Sequence, residues 1–212
     1  MKKFGIVGEG ITDHITIENI LCGFFDNIEL DDEIVYLPLS GKGGWEIITD
    51  YLTSEDFRND VLNHQFIIVN IDTDITTKEE DANKFGVYFR DENNNELSVN
   101  ELIEQVKISL IKRIDSRQTN FYEQYKKSII FAISVHQLEC WLIVCHDQAK
   151  ACIHDCYKTL QTIKLPQNVQ PAKKYANYNK ISQPFLDKNV IQTIEDPSFN
   201  HFIGQLQTIT LN

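Results

Sequence analysis

Four carboxylates stand where apolar, strand-like runs end. Glu9 sits between two glycines after Phe4, Ile6 and Val7 (KKFGIVGEG). Asp72 and Asp74 follow residues 65–71 (QFIIVNI), and Glu139 lies just past residues 128–135 (SIIFAISV). Ligands of open α/β sheets collect at the carboxyl ends of the strands. Asp72 and Asp74 are two apart, so in an extended chain they point to the same side. Four carboxylates at one edge repel one another unless a cation sits among them. Hard divalent ions take oxygen ligands, which points to Mg²⁺ or Mn²⁺. Such an ion polarises a phosphoryl oxygen or activates water. Each acid taken singly also suits a turn or a helix cap. Their coincidence at three strand ends is what argues for a site.

The elements that would position them alternate. Residues 3–8 read as a short buried strand, and Thr12 or Asp13 as the N-cap of a helix carrying Ile17, Ile20, Leu21, Phe24 and Phe25. Residues 33–39 form a second strand, ended by Pro38. A glycine loop, 40–44, leads into a helix from Trp45 to about Leu52. Residues 65–71 are β-branched and nearly continuous, as a central parallel strand should be. The polar stretch 75–97, with DENNNE, reads as a loop or insertion rather than a core element. Ser98 and Glu101 form a capping box for a long amphipathic helix through Leu102, Val106, Ser109, Leu110 and Ile114. After the strand at 128–135 come helices near 139, 147–162 and 198–206. The expectation is an α/β, three-layer domain with a mainly parallel sheet over 1–147, and a helical C-terminal extension, 148–212, packed on it.

Composition sets bounds. The 212 residues are 42% hydrophobic and 24% charged, ordinary for a single globular domain. No apolar run approaches the ~20 residues of a membrane span, and Met1-Lys2-Lys3-Phe4 is not followed by a signal-peptide core. A cytoplasmic protein without membrane contact is expected. The net charge of −11 argues against simple electrostatic capture of nucleic acid, although a bound cation inverts the local field of an acidic cluster. The five cysteines, Cys22, Cys140, Cys145, Cys152 and Cys156, are odd in number and set in apolar stretches, which suggests reduced thiols. Cys145, Cys152 and Cys156 would share one helix face. No paired C-x-x-C spacing favours zinc.

In order and placement these motifs resemble Toprim domains. Gly8-Glu9-Gly10-Ile11-Thr12-Asp13 is similar to the Toprim glutamate motif, and Asp72-Thr73-Asp74 to its DxD motif. The closer resemblance is to the Toprim-like DUF4276 and RloB-type proteins, relatives of the overcoming-lysogenization-defect nucleases. There, His136-Gln137-Leu138-Glu139-Cys140-Trp141 resembles an H/T-x-x-E-x-W/L motif, and Ser198-Phe199-Asn200-His201-Phe202 a C-terminal S-x-F-x-x-F helix. The resemblance implies a Toprim/Rossmann-like fold and a Mg²⁺- or Mn²⁺-dependent nuclease centre acting on DNA or RNA, in phage defence beside an ATPase partner, with a homo-oligomer as one possible state. It assigns Glu9 as general acid or base, and Asp72, Asp74, Glu139 and Glu9 to the metal. Ile75-Thr76-Thr77 stands where many Toprim domains carry a glycine. A non-catalytic module that binds a partner protein or a nucleotide is the alternative.

Other residues complete the candidate site. Lys173, in Lys173-Lys174-Tyr175, could offset charge on a phosphoryl transition state as a catalytic residue. Gly10 leaves room for a close phosphate. Lys42, in Gly41-Lys42-Gly43-Gly44, could contact that phosphate, although the loop lacks phosphate-loop spacing. Lys112, Arg113, Arg117, Lys126 and Lys127 form a local basic cluster that would track a nucleic-acid backbone or simply face solvent.

Overall fold

A computed structural model describes residues 2–38, 44–152 and 154–211, the side chain of Gln167 aside. Four strands make one parallel sheet: β1 (Lys2–Val7), β2 (Ile34–Leu37), β3 (His64–Asp72) and β4 (Ile129–Ser134). Their order is β2-β1-β3-β4. Chain from β1 crosses to one side of the sheet and chain from β3 to the other, so the connections diverge between these two strands. In parallel sheets that divergence opens a crevice at the carboxyl edge.

Side-chain alternation divides the core into two layers. Phe4, Ile6, Phe66, Ile68, Ile130 and Ala132 face one side. There they pack on α1 (Ile11–Phe24), α7 (Glu139–His146), α9 (Tyr175–Ser182) and α11 (Pro197–Leu206). Val7, Ile67, Val69, Ile71, Phe131 and Ile133 face the other, against α2 (Trp45–Leu52), α3 (Glu55–Asn63) and α5 (Val99–Ile114). Period-two alternation within β-branched strands is what puts apolar residues on both faces. The result is a three-layer, Rossmann-like α/β fold. The outer edge of β4 is blunted by one side chain: Gln205 of α11 accepts the Phe131 N–H (3.1 Å) and donates to the Phe131 carbonyl (2.7 Å). Among the described residues no helix is long and apolar enough to cross a membrane.

Several local expectations need correction. The N-cap of α1 is Gly10, not Thr12 or Asp13; Asp13 sits three residues on, where its carboxylate accepts the Gly10 N–H at 2.9 Å. Stretch 75–97 is not merely a polar loop. It contains α4 (Glu79–Phe85), and Ile75, Ala82, Phe85 and Val87 are buried in the core. Among the described residues between 147 and 162 there is no long helix, only a short 3₁₀ turn at Gln148–Lys150 and α8 (Cys156–Leu160). The cysteines are not all reduced: Cys140 and Cys156 are disulfide-bonded, and Cys22, Cys145 and Cys152 are free. Cys145, Cys152 and Cys156 do not share a helix, because the chain breaks between α7 and α8.

The capping box of α5 forms as read, with Ser98 accepting the Glu101 N–H and Glu101 accepting the Ser98 N–H. Gly23, near the end of α1, allows a close backbone approach in the helical layer. A Cβ there would lie 1.8 Å from the Phe185 carbonyl oxygen, in the turn Gln183–Leu186 that packs on α1. Alanine is the better helix former by ~1 kcal/mol. A collision with backbone, which cannot rotate away, exceeds the ~1–3 kcal/mol of ordinary overpacking. Gly23→Ala is therefore expected to lower the melting temperature in a thermal denaturation experiment; an unchanged or higher value would contradict this packing.

Candidate active site at the carboxyl edge of the sheet

The four expected carboxylates meet at the crevice between β1 and β3. Glu9 leaves the end of β1 and its Oε1 lies 3.4 Å from the Asp72 N–H at the end of β3. Asp72 in turn accepts the Leu138 N–H at 2.9 Å. Asp74 accepts from Gln137 Nε2 at 3.2 Å, and its own N–H donates to the His136 carbonyl at 2.9 Å. The segment after β4 is thus sewn to the end of β3 by main-chain and side-chain bonds. Glu139, the first residue of α7, is buried, and it accepts the Tyr178 hydroxyl at 2.5 Å.

Two helices brace Glu139. Trp141, the third residue of α7, stacks on Phe202 at 5.9 Å and meets Phe199 edge-on at 5.4 Å. Its indole N–H donates to Ser198 Oγ at 2.8 Å, and Ser198 donates to Asp196 at 2.7 Å. The Ser198, Phe199 and Phe202 positions of α11 are therefore a clamp on α7. Tyr178 is held through α9, which is tied to α1 by the Asn19–Ser182 hydrogen bond (2.7 Å).

Sequence reasoning missed three members of the group. Asp13, read only as a cap, faces the same crevice and adds to the negative field at Glu9 and Asp72. An acid three residues after a glycine at a strand end was the available signal. Tyr178 and Gln137 carried no signal, since their roles depend on packing across the fold. Lys173 does arrive at the site: its Nζ is 3.5 Å from Glu139 Oε1 and 5.4 Å from the Tyr157 ring centre. Gly10 is in extended conformation and its open face would accommodate a Cβ, but its N–H is already given to Asp13. Lys42 lies outside the described residues. The basic cluster disperses: Arg113 lies over the Phe85 ring at 4.8 Å and bonds the Phe85 carbonyl, and Lys126 pairs with Glu123.

Electrostatics dominate here. Burial, then Asp13 and Asp74, push the Glu9 carboxyl from its ordinary 4.5 to about 8. Burial, then Glu139, raises Asp13 to about 6. Asp72 is held well above the usual range by burial and then by Glu9, Asp13, Glu139 and Asp74. Asp74 is raised by burial, with Gln137, Lys78 and Lys173 pulling back. Burial alone would lower Lys173, but Glu139, Asp72 and Asp13 overcome it and raise it. Among the described residues, five acids thus share the ammonium of Lys173, with Lys78 acting on Asp74 alone, and the group is short of positive charge.

That deficit fits a divalent cation. As the side chains stand, no three His, Cys, Asp or Glu residues among those described are gathered to hold a metal ion. The reason is local: Asp13, Asp72, Asp74 and Glu139 are each turned toward a protein donor of their own.

The shifts predict a pH dependence of stability. The folded chain binds more protons at Glu9 than the unfolded chain between 4.5 and about 8, so stability falls as pH rises through that window. His14 and His136, lowered by burial to about 4 from 6.5, act oppositely, but only below 6.5. Between pH 6.5 and 8 the carboxylates therefore set the slope. The melting temperature of metal-free protein is expected to drop across this interval, by ~2–4 °C per kcal/mol lost. Added Mg²⁺ should raise it more at pH 8 than at 6.5, and Glu9→Gln should flatten the slope. A pH-independent melt that ignores Mg²⁺ would contradict the electrostatic account.

Comparison of the chain with protein-family models, with curated proteins and with solved structures finds no match.

Proposed function

We propose that the protein is a Mg²⁺- or Mn²⁺-dependent phosphodiesterase of nuclease type, acting on DNA or RNA. The observation that carries this reading is the convergence of Glu9, Asp72, Asp74 and Glu139 at the β1/β3 crevice with Lys173 beside them. Asp72, Asp74 and Glu139, joined by Glu9, are the residues that would hold the cation. When bound, the ion supplies charge neutralisation at a phosphoryl oxygen and a more acidic water. The Toprim resemblance supports the same assignment, as does an acid group whose charge deficit a cation would correct.

The chain's own residues contribute the rest. Glu9, raised to about 8, exchanges its proton close to neutrality, the condition under which a carboxyl both gives and takes a proton efficiently. Its place is at an ester oxygen or an attacking water. Lys173 offers a fixed positive charge toward the developing negative charge of the phosphoryl group. Leu138 N–H, Gln137 and Tyr178 hold the acids in place. An ATPase partner and a role in phage defence follow from the resemblance alone and belong to this proposal. A non-catalytic, nucleotide-binding module is the second reading, favoured by the protein donors that already occupy the acids.

In a strand-cleavage assay with Mg²⁺ or Mn²⁺, Glu9→Gln and Asp72→Asn are each expected to slow cleavage by at least ~100-fold while circular dichroism stays unchanged. Lys173→Met should cost a comparable ~10²-fold. Parental rates in the two acid variants would overturn the assignment.

A further inference from the structure

A cleft of about 420 Å³ opens directly beside the carboxylates, within the ~300–1,000 Å³ range of small-ligand pockets. Asp74 and Gln137 belong to both. The remaining wall is formed by Thr77, His136, His154, Asp155, Tyr157 and Lys158. Gln137 bonds Asp74 on one side and accepts the Tyr157 N–H on the other, at 3.1 Å, so cleft and acid group are rigidly joined.

His136 is the unusual residue. It is 3% exposed, and neither ring nitrogen has a hydrogen-bond partner among the described residues. A neutral imidazole carries one donor and one acceptor, and leaving both buried and unmet costs stability. Its ring is flanked by aromatic surface: His154 lies 4.4 Å away, tilted by 37°, and Phe89 meets it at 4.9 Å. His154 itself is exposed and lines the cleft beside the His136 ring. A planar ligand in the cleft would stack on the exposed His154 ring and turn its polar edge toward His136, whose ring nitrogens lie in the imidazole plane.

We infer that this cleft receives one unpaired nucleobase, set beside the phosphodiester at the carboxylates, so that the substrate is single-stranded or locally unpaired. Flat faces with a donor–acceptor edge are the chemistry of a nucleobase, and stacking on aromatic side chains is how single strands are held. A base inside a duplex is stacked on both faces and paired along its edge, and must leave the helix to enter such a cleft. Lys158, at the rim, is paired with Asp155 at 2.7 Å. This inference rests on the phosphodiesterase reading for the adjoining site, but the cleft can be tested without cleavage.

Uncharged ribonucleosides avoid repulsion by the acids. Titrated at millimolar concentration into the metal-free full chain, they are expected to move the imidazole NMR signals of His136 and His154. In His154→Ala, an exposed and structurally mild change, affinity for a short single-stranded oligonucleotide should fall by roughly 5- to 100-fold. Should His136→Ala fail to fold, His136→Phe keeps the ring and removes the nitrogens, and should likewise weaken nucleoside binding. Imidazole signals that no nucleoside moves would overturn the inference. Equal affinity of the parent for single strand and matching duplex would also overturn it. Absence of any cleavage would count against the phosphodiesterase alone, because nucleoside binding is read independently.

Discussion

The constraint on which the structure turns is the repulsion among Glu9, Asp13, Asp72, Asp74 and Glu139 at one edge of the sheet. Like charges this close cannot all be ionised in a partly dry crevice without help. The fold supplies help unevenly. Glu139 receives Tyr178 and Lys173, and Asp72 and Asp74 receive donors from the segment after β4. Glu9 accepts a long bond from the Asp72 N–H, and burial, then Asp13 and Asp74, raise it to about 8. A cluster with one underserved member is poised for proton transfer or for a cation, and stability is what it gives up.

Much of the rest of the molecule can be understood as bracing for that edge. The parallel order β2-β1-β3-β4 places the ends of β1 and β3 side by side where the connections diverge. The aromatic clamp of Trp141, Phe199 and Phe202 fixes α7, and so the root of Glu139. The helices after residue 147 are not an ornament to the sheet. They deliver Lys173 and Tyr178 to the acids, and Gln205 to the exposed edge of β4.

The legible parts of the sequence were those set by local pattern. Short apolar, β-branched runs marked all four strands, and a Ser98/Glu101 box marked the start of α5. Acids after strands marked four of the five carboxylates now seen together, because strand-end position is a local property that the parallel topology converts into proximity. What escaped depended on distant partners. Asp13 looked like a cap because capping and lining the crevice ask for the same residue type. Ile75, Ala82 and Phe85 were hidden by the polarity of their neighbours. The Cys140–Cys156 bond joins residues of α7 and α8, a pairing that spacing alone leaves undetermined.

The central claim is that these acids form a divalent-cation site. Crystals grown with Mn²⁺ and measured for its anomalous signal test it directly. The account predicts a peak at the β1/β3 crevice with carboxylate oxygens of Asp72, Asp74 and Glu139 or Glu9 turned inward to ~2.1 Å or slightly more. A crevice without Mn²⁺ at saturating concentration, its acids still bonded to Leu138, Gln137 and Tyr178, would contradict it.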